Sequence, residues 1–212
     1  MANWQLVIFD CDGVLVDSEP IVNRIFVEML TEIGLVMTYE QAVQTFVGKS
    51  SATCIEIVER SLGKPVPSGF LDRCRERETD ALTRELQSVP GIELVLENLT
   101  ILKCVASNSS LRHVNLVLQL TGLIHHFNGK LFSANQVARP KPFPDVYLHA
   151  AHQMGVSPAD CVVVEDSVTG VQAAYAAGMK VFGYVQRSDR EALVAAGAHL
   201  VFDQMSQLLE LL

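Results

Sequence analysis

Four compact apolar runs, at residues 6–9, 103–106, 161–164 and 181–185, constrain this chain most. None alternates polar with apolar residues, and continuous apolar character suits a strand buried on both faces of a sheet. Helical periodicity separates the later runs, at 111–120, 146–154 and 168–177, with Gly178 just past the last of them. Strand, helix, strand alternation implies an α/β fold built on a doubly wound, Rossmann-like parallel sheet.

Residues 16–88 break this rhythm with consecutive helical patterns. Pro20 opens the first, with Ile21, Ile25, Met29 and Ile33 on one face and Gly34 closing it. Thr38 and Gln41 form a capping box for the second, and Ser68 is placed to cap a third that runs to about Leu86. An all-helical insertion in an α/β domain reads as a cap. The expected division is a core of residues 1–15 and 89–212 with a helical cap domain over 16–88. The tethers fall at 15–17 and 89–91, where Pro90-Gly91 marks a turn.

The net charge of −8 argues against a nucleic-acid partner, which needs clustered Lys and Arg. The longest apolar runs fall far short of the roughly 18 residues of a membrane span. No basic, apolar, small-residue series comes after Met1, so a cytoplasmic location is expected. The odd cysteine count, five without any C-x-x-C pair, reads as reduced and mostly buried thiols. Oligomeric state is left open by the sequence, a monomer included.

Ligands in open α/β sheets bind beyond the carboxyl ends of the strands, so the residues just past each apolar run matter most. The first run ends in Asp10-Cys11-Asp12-Gly13, the second in Ser107-Asn108 and the third in Glu165-Asp166, while Lys141 lies in the loop Arg139-Pro140-Lys141-Pro142. Asp10 and Asp12, two apart in a chain leaving a strand, project to the same side. Asp10, the Asp12 backbone oxygen and Asp166 suit Mg2+, which takes few carboxylates and leaves positions for water and phosphate. Glu165 belongs to the same metal set, as a ligand or by orienting a metal-bound water, unless it serves only to link neighbouring loops.

Each residue also fits one part of phosphoryl transfer, where the protein's task is to place and neutralise charge. Asp10 can attack phosphorus to give an aspartyl phosphate, and Asp12 can protonate the leaving oxygen and then activate water. Ser107 and the amides opening the helix after Ser109 can hold phosphate oxygens. Asn108 can hydrogen-bond phosphate or substrate, and Lys141 can balance carboxylates and phosphate. The implied partner is a small phosphorylated metabolite. By contrast, His149 and His152 share a helix face without a further ligand, and His125-His126 reads as a loop.

These residues resemble, over nearly the whole chain, the haloacid dehalogenase superfamily. Asp10-Cys11-Asp12-Gly13-Val14-Leu15 is similar to its first motif, Val105-Ala106-Ser107-Asn108 to the second, and Lys141-Pro142-x-Pro144-Asp145 to the third. Val164-Glu165-Asp166-Ser167-x-x-Gly170 is similar to the fourth, in the form of the β-phosphoglucomutase-like branch, which also carries a helical cap. The resemblance implies a magnesium-dependent phosphatase acting through an aspartyl phosphate, with a sugar or sugar-acid phosphate as the substrate class. Two departures from the mutases of that branch favour hydrolysis. Val22 stands where they carry a His, and Ser51, three residues after Gly48, stands where they carry a basic residue; Lys49 is nearby but offset and is a candidate substrate ligand.

Other readings stay open at this level. The same site would serve a sugar phosphomutase if the aspartyl phosphate were shielded from water. A metal-free dehalogenase would leave Asp12 without a task. A receiver-like phospho-switch also gathers acids, a Ser and a Lys at strand ends, but its phosphorylated strand is a later one and it has no helical insertion.

Overall fold

The computed structural model describes residues 4–47, 49 and 51–212, with Ser51 described through its backbone alone. The chain forms two units: Met1–Asp17 with Gln87–Leu212, and Ser18–Leu86. In chain order the elements begin with β1 (Leu6–Phe9), then α1 (Glu19–Glu32), α2 (Tyr39–Phe46), α3 (Ser51–Leu62) and α4 (Phe70–Glu85). Next come α5 (Ile92–Asn98), β2 (Leu102–Ser107), α6 (Leu111–Leu120), β3 (Leu131–Ser133), α7 (Asp145–Met154) and β4 (Cys161–Glu165). The chain continues through α8 (Val168–Ala176), β5 (Lys180–Tyr184), α9 (Arg190–Ala196), β6 (Leu200–Phe202) and α10 (Leu208–Leu211).

The first unit is a six-stranded sheet in the order β3-β2-β1-β4-β5-β6, parallel throughout. β1 lies between β2 and β4, with Leu6 opposite Leu102 on one side and Cys161 on the other. β1 and β4 are buried at every residue, which is why both read as unbroken apolar runs. The core includes Leu6, Ile8, Val163 and Val181 from the strands and Val146, Ala150 and Val171 from the helices.

The four expected strands are present, each within one or two residues of its expected ends. β3 and β6 were not expected. Each has three residues and pairs on one side only, and so short a run has no periodicity to read. The chain leaves β1 for β2 on one side and reaches β4 on the other, so the strand order reverses between β1 and β4. A crevice forms at such a reversal, beyond the carboxyl ends of the two strands.

In the helical unit, Pro20 lies in the first turn of α1, which buries Ile21, Ile25, Met29 and Leu30. Leu30 takes the place expected of Ile33, which falls at the helix C-cap. The Thr38 capping box forms as expected: Thr38 Oγ1 accepts from the Gln41 amide, and Gln41 Oε1 accepts from the Thr38 amide. Ser68 is a correction. Gly69 is the N-cap of α4, with a left-handed φ of 72° that favours glycine, while the Ser68 carbonyl accepts from Arg73 Nη1. α3 is a fourth helix, one that the sequence reading did not single out.

The tethers pair with each other. Val16 bridges Ser88 in antiparallel fashion, the Asp17 amide donates to the Gln87 carbonyl, and the Val89 amide donates to the Leu15 carbonyl. The return tether therefore falls at 87–89, two residues before the expected 89–91. Gly91 instead forms the N-cap of α5.

Candidate active site

β1 delivers Asp10 to the crevice, where its amide donates to the Val164 carbonyl at 3.0 Å and so ties β1 to β4. The chain then turns sharply: the Gly13 amide donates to the Val16 carbonyl at 2.8 Å, and Gly13 takes φ 84°. A side chain there is excluded twice over, by that φ and because a β-carbon would lie 2.1 Å from Asp166 Oδ2. Gly13 is the residue that lets the β1 turn lie against the Asp166 carboxylate.

Lys141, buried, is the hub of the site. Its Nζ donates to Asp10 Oδ1 at 2.6 Å, to Glu165 Oε1 at 2.7 Å and to the Ala106 carbonyl at 3.0 Å. Its ammonium also lies 4.7 Å from the centre of the Tyr147 ring. The Lys141 backbone is fixed by Asn108, whose Oδ1 accepts from the Lys141 amide at 2.9 Å and whose Nδ2 donates to the Lys141 carbonyl at 3.3 Å. Both polar atoms of the Asn108 side chain thus engage the Lys141 loop, where sequence reasoning gave them to phosphate or substrate.

Glu165 is fully buried and both its oxygens are occupied. Oε1 accepts from Lys141 Nζ and Tyr147 Oη, and Oε2 from the Ser167 amide and hydroxyl. Asp10, Glu165 and Asp166 are all buried, and each offers a carboxylate oxygen within 4.8 Å of the others. The Asp12 carboxylate turns elsewhere: Oδ2 accepts from Ser109 Oγ at 2.8 Å, and Oδ1 lies 3.0 Å from His113 Nε2. Ser107 is buried at the end of β2, and its Oγ accepts from the Ser109 amide at 3.0 Å.

The electrostatics stem from one cation shared between acids. Burial pushes the Asp10 carboxyl up to about 7, against the downward pull of Lys141 and with Glu165 adding to the rise. Burial also disfavours the charged forms of Glu165 and Lys141. It is outweighed in Glu165 by the Lys141 charge and its hydrogen bonds, which hold that carboxyl low, and in Lys141 by Asp10 and Glu165, which raise it. Glu165 therefore keeps the lysine's charge, and Asp10 is the acid left short of one. With all three acids ionised, three negative charges face one positive, and the excess of two matches a divalent cation.

Of the expected site residues, Asp10, Asp12, Ser107, Asn108, Lys141, Glu165 and Asp166 come together at the ends of β1, β2 and β4. Lys49 is exposed and belongs to the helical unit. There it lines a cavity of about 220 Å³ with Val22, Asn23, Phe26, Phe46 and Arg75, which joins two of the positions singled out in the sequence. Gly48 and the Ser51 side chain lie outside the described residues. Sequence reasoning missed His113 and Tyr147, and it gave no role to the side chains of Ser109 and Ser167. For His113 the available signal was a polar side chain in the first turn of the helix that follows β2, close to the strand's carboxyl end where site residues gather.

All five cysteines are free, four of them buried. No helix among the described residues is long and apolar enough to cross a membrane.

Comparison with known proteins identifies the family. The haloacid dehalogenase-like hydrolase profile matches residues 7–184. The 6-phosphogluconate phosphatase of Escherichia coli is 33% identical over 212 residues, covering 100% of this chain and 96% of that protein. Hexitol phosphatase B of the same organism is 29% identical over 178 residues, 82% of this chain and 80% of its own. A conserved haloacid dehalogenase-like protein of unknown function from Agrobacterium tumefaciens superimposes with a TM-score of 0.86 at 37% identity, covering 98% of this chain and 97% of that one. The chain belongs to the haloacid dehalogenase-like hydrolases, and within them to the phosphatases.

Proposed function

We propose that this enzyme hydrolyses a small phosphate monoester, a sugar or sugar-acid phosphate, through an aspartyl phosphate on Asp10 and with Mg2+ as cofactor. The observation that carries the reading is the buried Lys141 ammonium, held on Asp10 and Glu165 at the strand-order reversal. The substrate class is supported by the relatives, which are phosphatases of 6-phosphogluconate and of hexitol phosphates by name.

In the first half-reaction an Asp10 oxygen attacks phosphorus, the bond to the leaving oxygen breaks, and the Asp12 carboxyl gives its proton to that oxygen. In the second, Asp12 takes a proton from water, the water oxygen attacks phosphorus, and the Asp10–phosphorus bond breaks. Ser107 donates its hydroxyl to a phosphate oxygen, and Lys141 balances charge on the nucleophile and the phosphoryl group. Asn108 keeps the Lys141 loop in register. Asp10, Asp166 and the Asp12 backbone oxygen would hold the cation, with Glu165 completing the acidic group or steadying it from behind. The donor set fits, being all oxygen, buried and two charges in excess. Bound there, Mg2+ would neutralise phosphoryl oxygens and so lower the barrier to attack by an anion.

The receiver-like switch falls with the family assignment, since the relatives are hydrolytic enzymes. A release assay for inorganic phosphate over a panel of metabolite phosphates, with and without magnesium, tests the proposal. Turnover concentrated on sugar and sugar-acid phosphates and lost in chelator is the expected result. Absence of turnover on every monoester would overturn it.

A further inference from the structure

We propose that His113, with Ser109, is a positioning residue that orients the Asp12 carboxyl toward the leaving oxygen. This role rests on Asp12 acting as the general acid and goes beyond it. The two oxygens of Asp12 are gripped separately, Oδ2 by the Ser109 hydroxyl at 2.8 Å and Oδ1 by His113 Nε2 at 3.0 Å. A carboxyl held at one oxygen still swings about its own bond, whereas one held at both keeps its plane.

Both gripping groups are themselves anchored. The Ser109 amide donates to Ser107 Oγ, and its carbonyl accepts from Ser133 Oγ at 2.6 Å, where Ser133 is fully buried. The His113 amide donates to Ser110 Oγ, the N-cap of α6, which fixes the first turn that carries the imidazole. The Asp12 plane is thus referred to β2, β3 and the start of α6, the same segment that presents Ser107. A mobile acid would meet the leaving oxygen in only a fraction of encounters, and loss of orientation alone can cost a large factor in rate. Neither residue exchanges a proton in this scheme. The proton passes from the Asp12 carboxyl to the leaving oxygen as the phosphorus–oxygen bond breaks.

The test uses leaving groups that need that proton to different degrees. p-Nitrophenyl phosphate departs as a weakly basic phenolate and needs little help, phenyl phosphate needs more, and glycerol 2-phosphate, departing as an alkoxide, needs it most. For His113→Ala we expect kcat/KM, which reports only the steps through transfer to Asp10, to fall by about tenfold or more on the alkyl ester, a fraction of what general acid catalysis supplies, with a smaller loss on phenyl phosphate and the least on p-nitrophenyl phosphate, whereas any loss in the shared hydrolysis of the aspartyl phosphate lowers kcat alike on all three. His113→Gln, which keeps a side-chain N–H donor, should restore much of the loss. Ser109→Ala should show the same pattern at the other oxygen, and it serves equally if His113→Ala does not fold. Equal losses of kcat/KM on all three esters, or none on any, would overturn the proposal. Asp12→Asn separates the two layers. If its kcat/KM shows the graded loss and those of the His113 and Ser109 variants do not, only the positioning role falls; if its kcat/KM too falls evenly over the three esters, Asp12 is not the acid.

Discussion

Gly170 and Glu165 occupy the same space: a β-carbon on Gly170 would lie 1.7 Å from Glu165 Oε1 and 2.3 Å from Oε2. The glycine of the fourth motif is therefore needed for room, so that α8 can start against a buried carboxylate. Gly170→Ala should push Glu165 out of reach of Lys141 and Tyr147 and leave a buried ammonium with one fewer partner. Breaking one side of a buried ion pair costs on the order of 3 kcal/mol, so we expect a clear drop in the urea midpoint together with loss of activity. An alanine variant with unchanged midpoint would mean that Glu165 is not held where the structure shows it.

Asp10→Asn should abolish turnover while the fold survives, because Lys141 retains Glu165 and the Ala106 carbonyl as partners. Residual activity below about one per cent, roughly 2.7 kcal/mol of barrier, is the expected result. A higher residue would remove Asp10 from the nucleophile's role. Asp12→Asn should be severely impaired as well.

Asp10 also gives the metal-free protein a characteristic pH dependence. Its carboxyl sits at about 7 when folded against an ordinary 3.8, so between those values the folded chain holds a proton that the unfolded chain has lost. Stability from this group is full below about pH 4 and is lost as pH rises through 7, by on the order of 4 kcal/mol. Glu165 works the other way, since its lowered value stabilises the fold above about pH 4.5 and that contribution is lost on acidification. Melting temperatures in chelator should peak near pH 5 and decline toward pH 8. Magnesium should remove the decline by favouring ionised Asp10, and Asp10→Asn should flatten it without metal. Calcium, with longer bonds and more ligands, should bind yet inhibit. A chelator-treated protein that is fully active, or that grows more stable from pH 5 to 8, would defeat this account.

The sheet was legible because buried parallel strands are apolar without interruption, as β1 and β4 show, and because reactive residues stand at their carboxyl ends. β3 and β6 were too short to carry a period, whereas α3 did carry signals that the sequence reading passed over, a serine pair at its start and Cys54, Ile55, Val58 and Leu62 at helical spacing. The bonding partners of the site were the hidden part. Asn108 holds the backbone of a residue 33 positions away, and Tyr147 reaches Glu165 from the helix after the Lys141 loop. Such partnerships arise only when separate loops meet at the strand ends, and no local pattern encodes them. Gly13 and Gly170 show the converse, since each was visible as a motif letter and only the fold supplies the colliding atom.

Hydrolysis and phosphoryl shift start from the same aspartyl phosphate, and the difference lies in whether water or a second hydroxyl receives the group. A mutase must hold its sugar through a reorientation, which takes polar and basic groups around the ring. Val22 supplies neither, and it lines the same cavity of the helical unit as Lys49, Asn23 and Arg75. We expect the phosphoenzyme to be released to water. The measurement is a phosphorus NMR time course on the sugar phosphate turned over fastest. Inorganic phosphate growing in step with substrate loss is the expected record, whereas a positional isomer accumulating with little free phosphate would sink the hydrolase reading. Val22→His combined with Ser51→Arg should raise the ratio of isomer to phosphate. If the double variant changes total rate and leaves that ratio where it was, these two positions do not govern the choice between water and sugar, and the polar residues already lining the cavity become the ones to exchange.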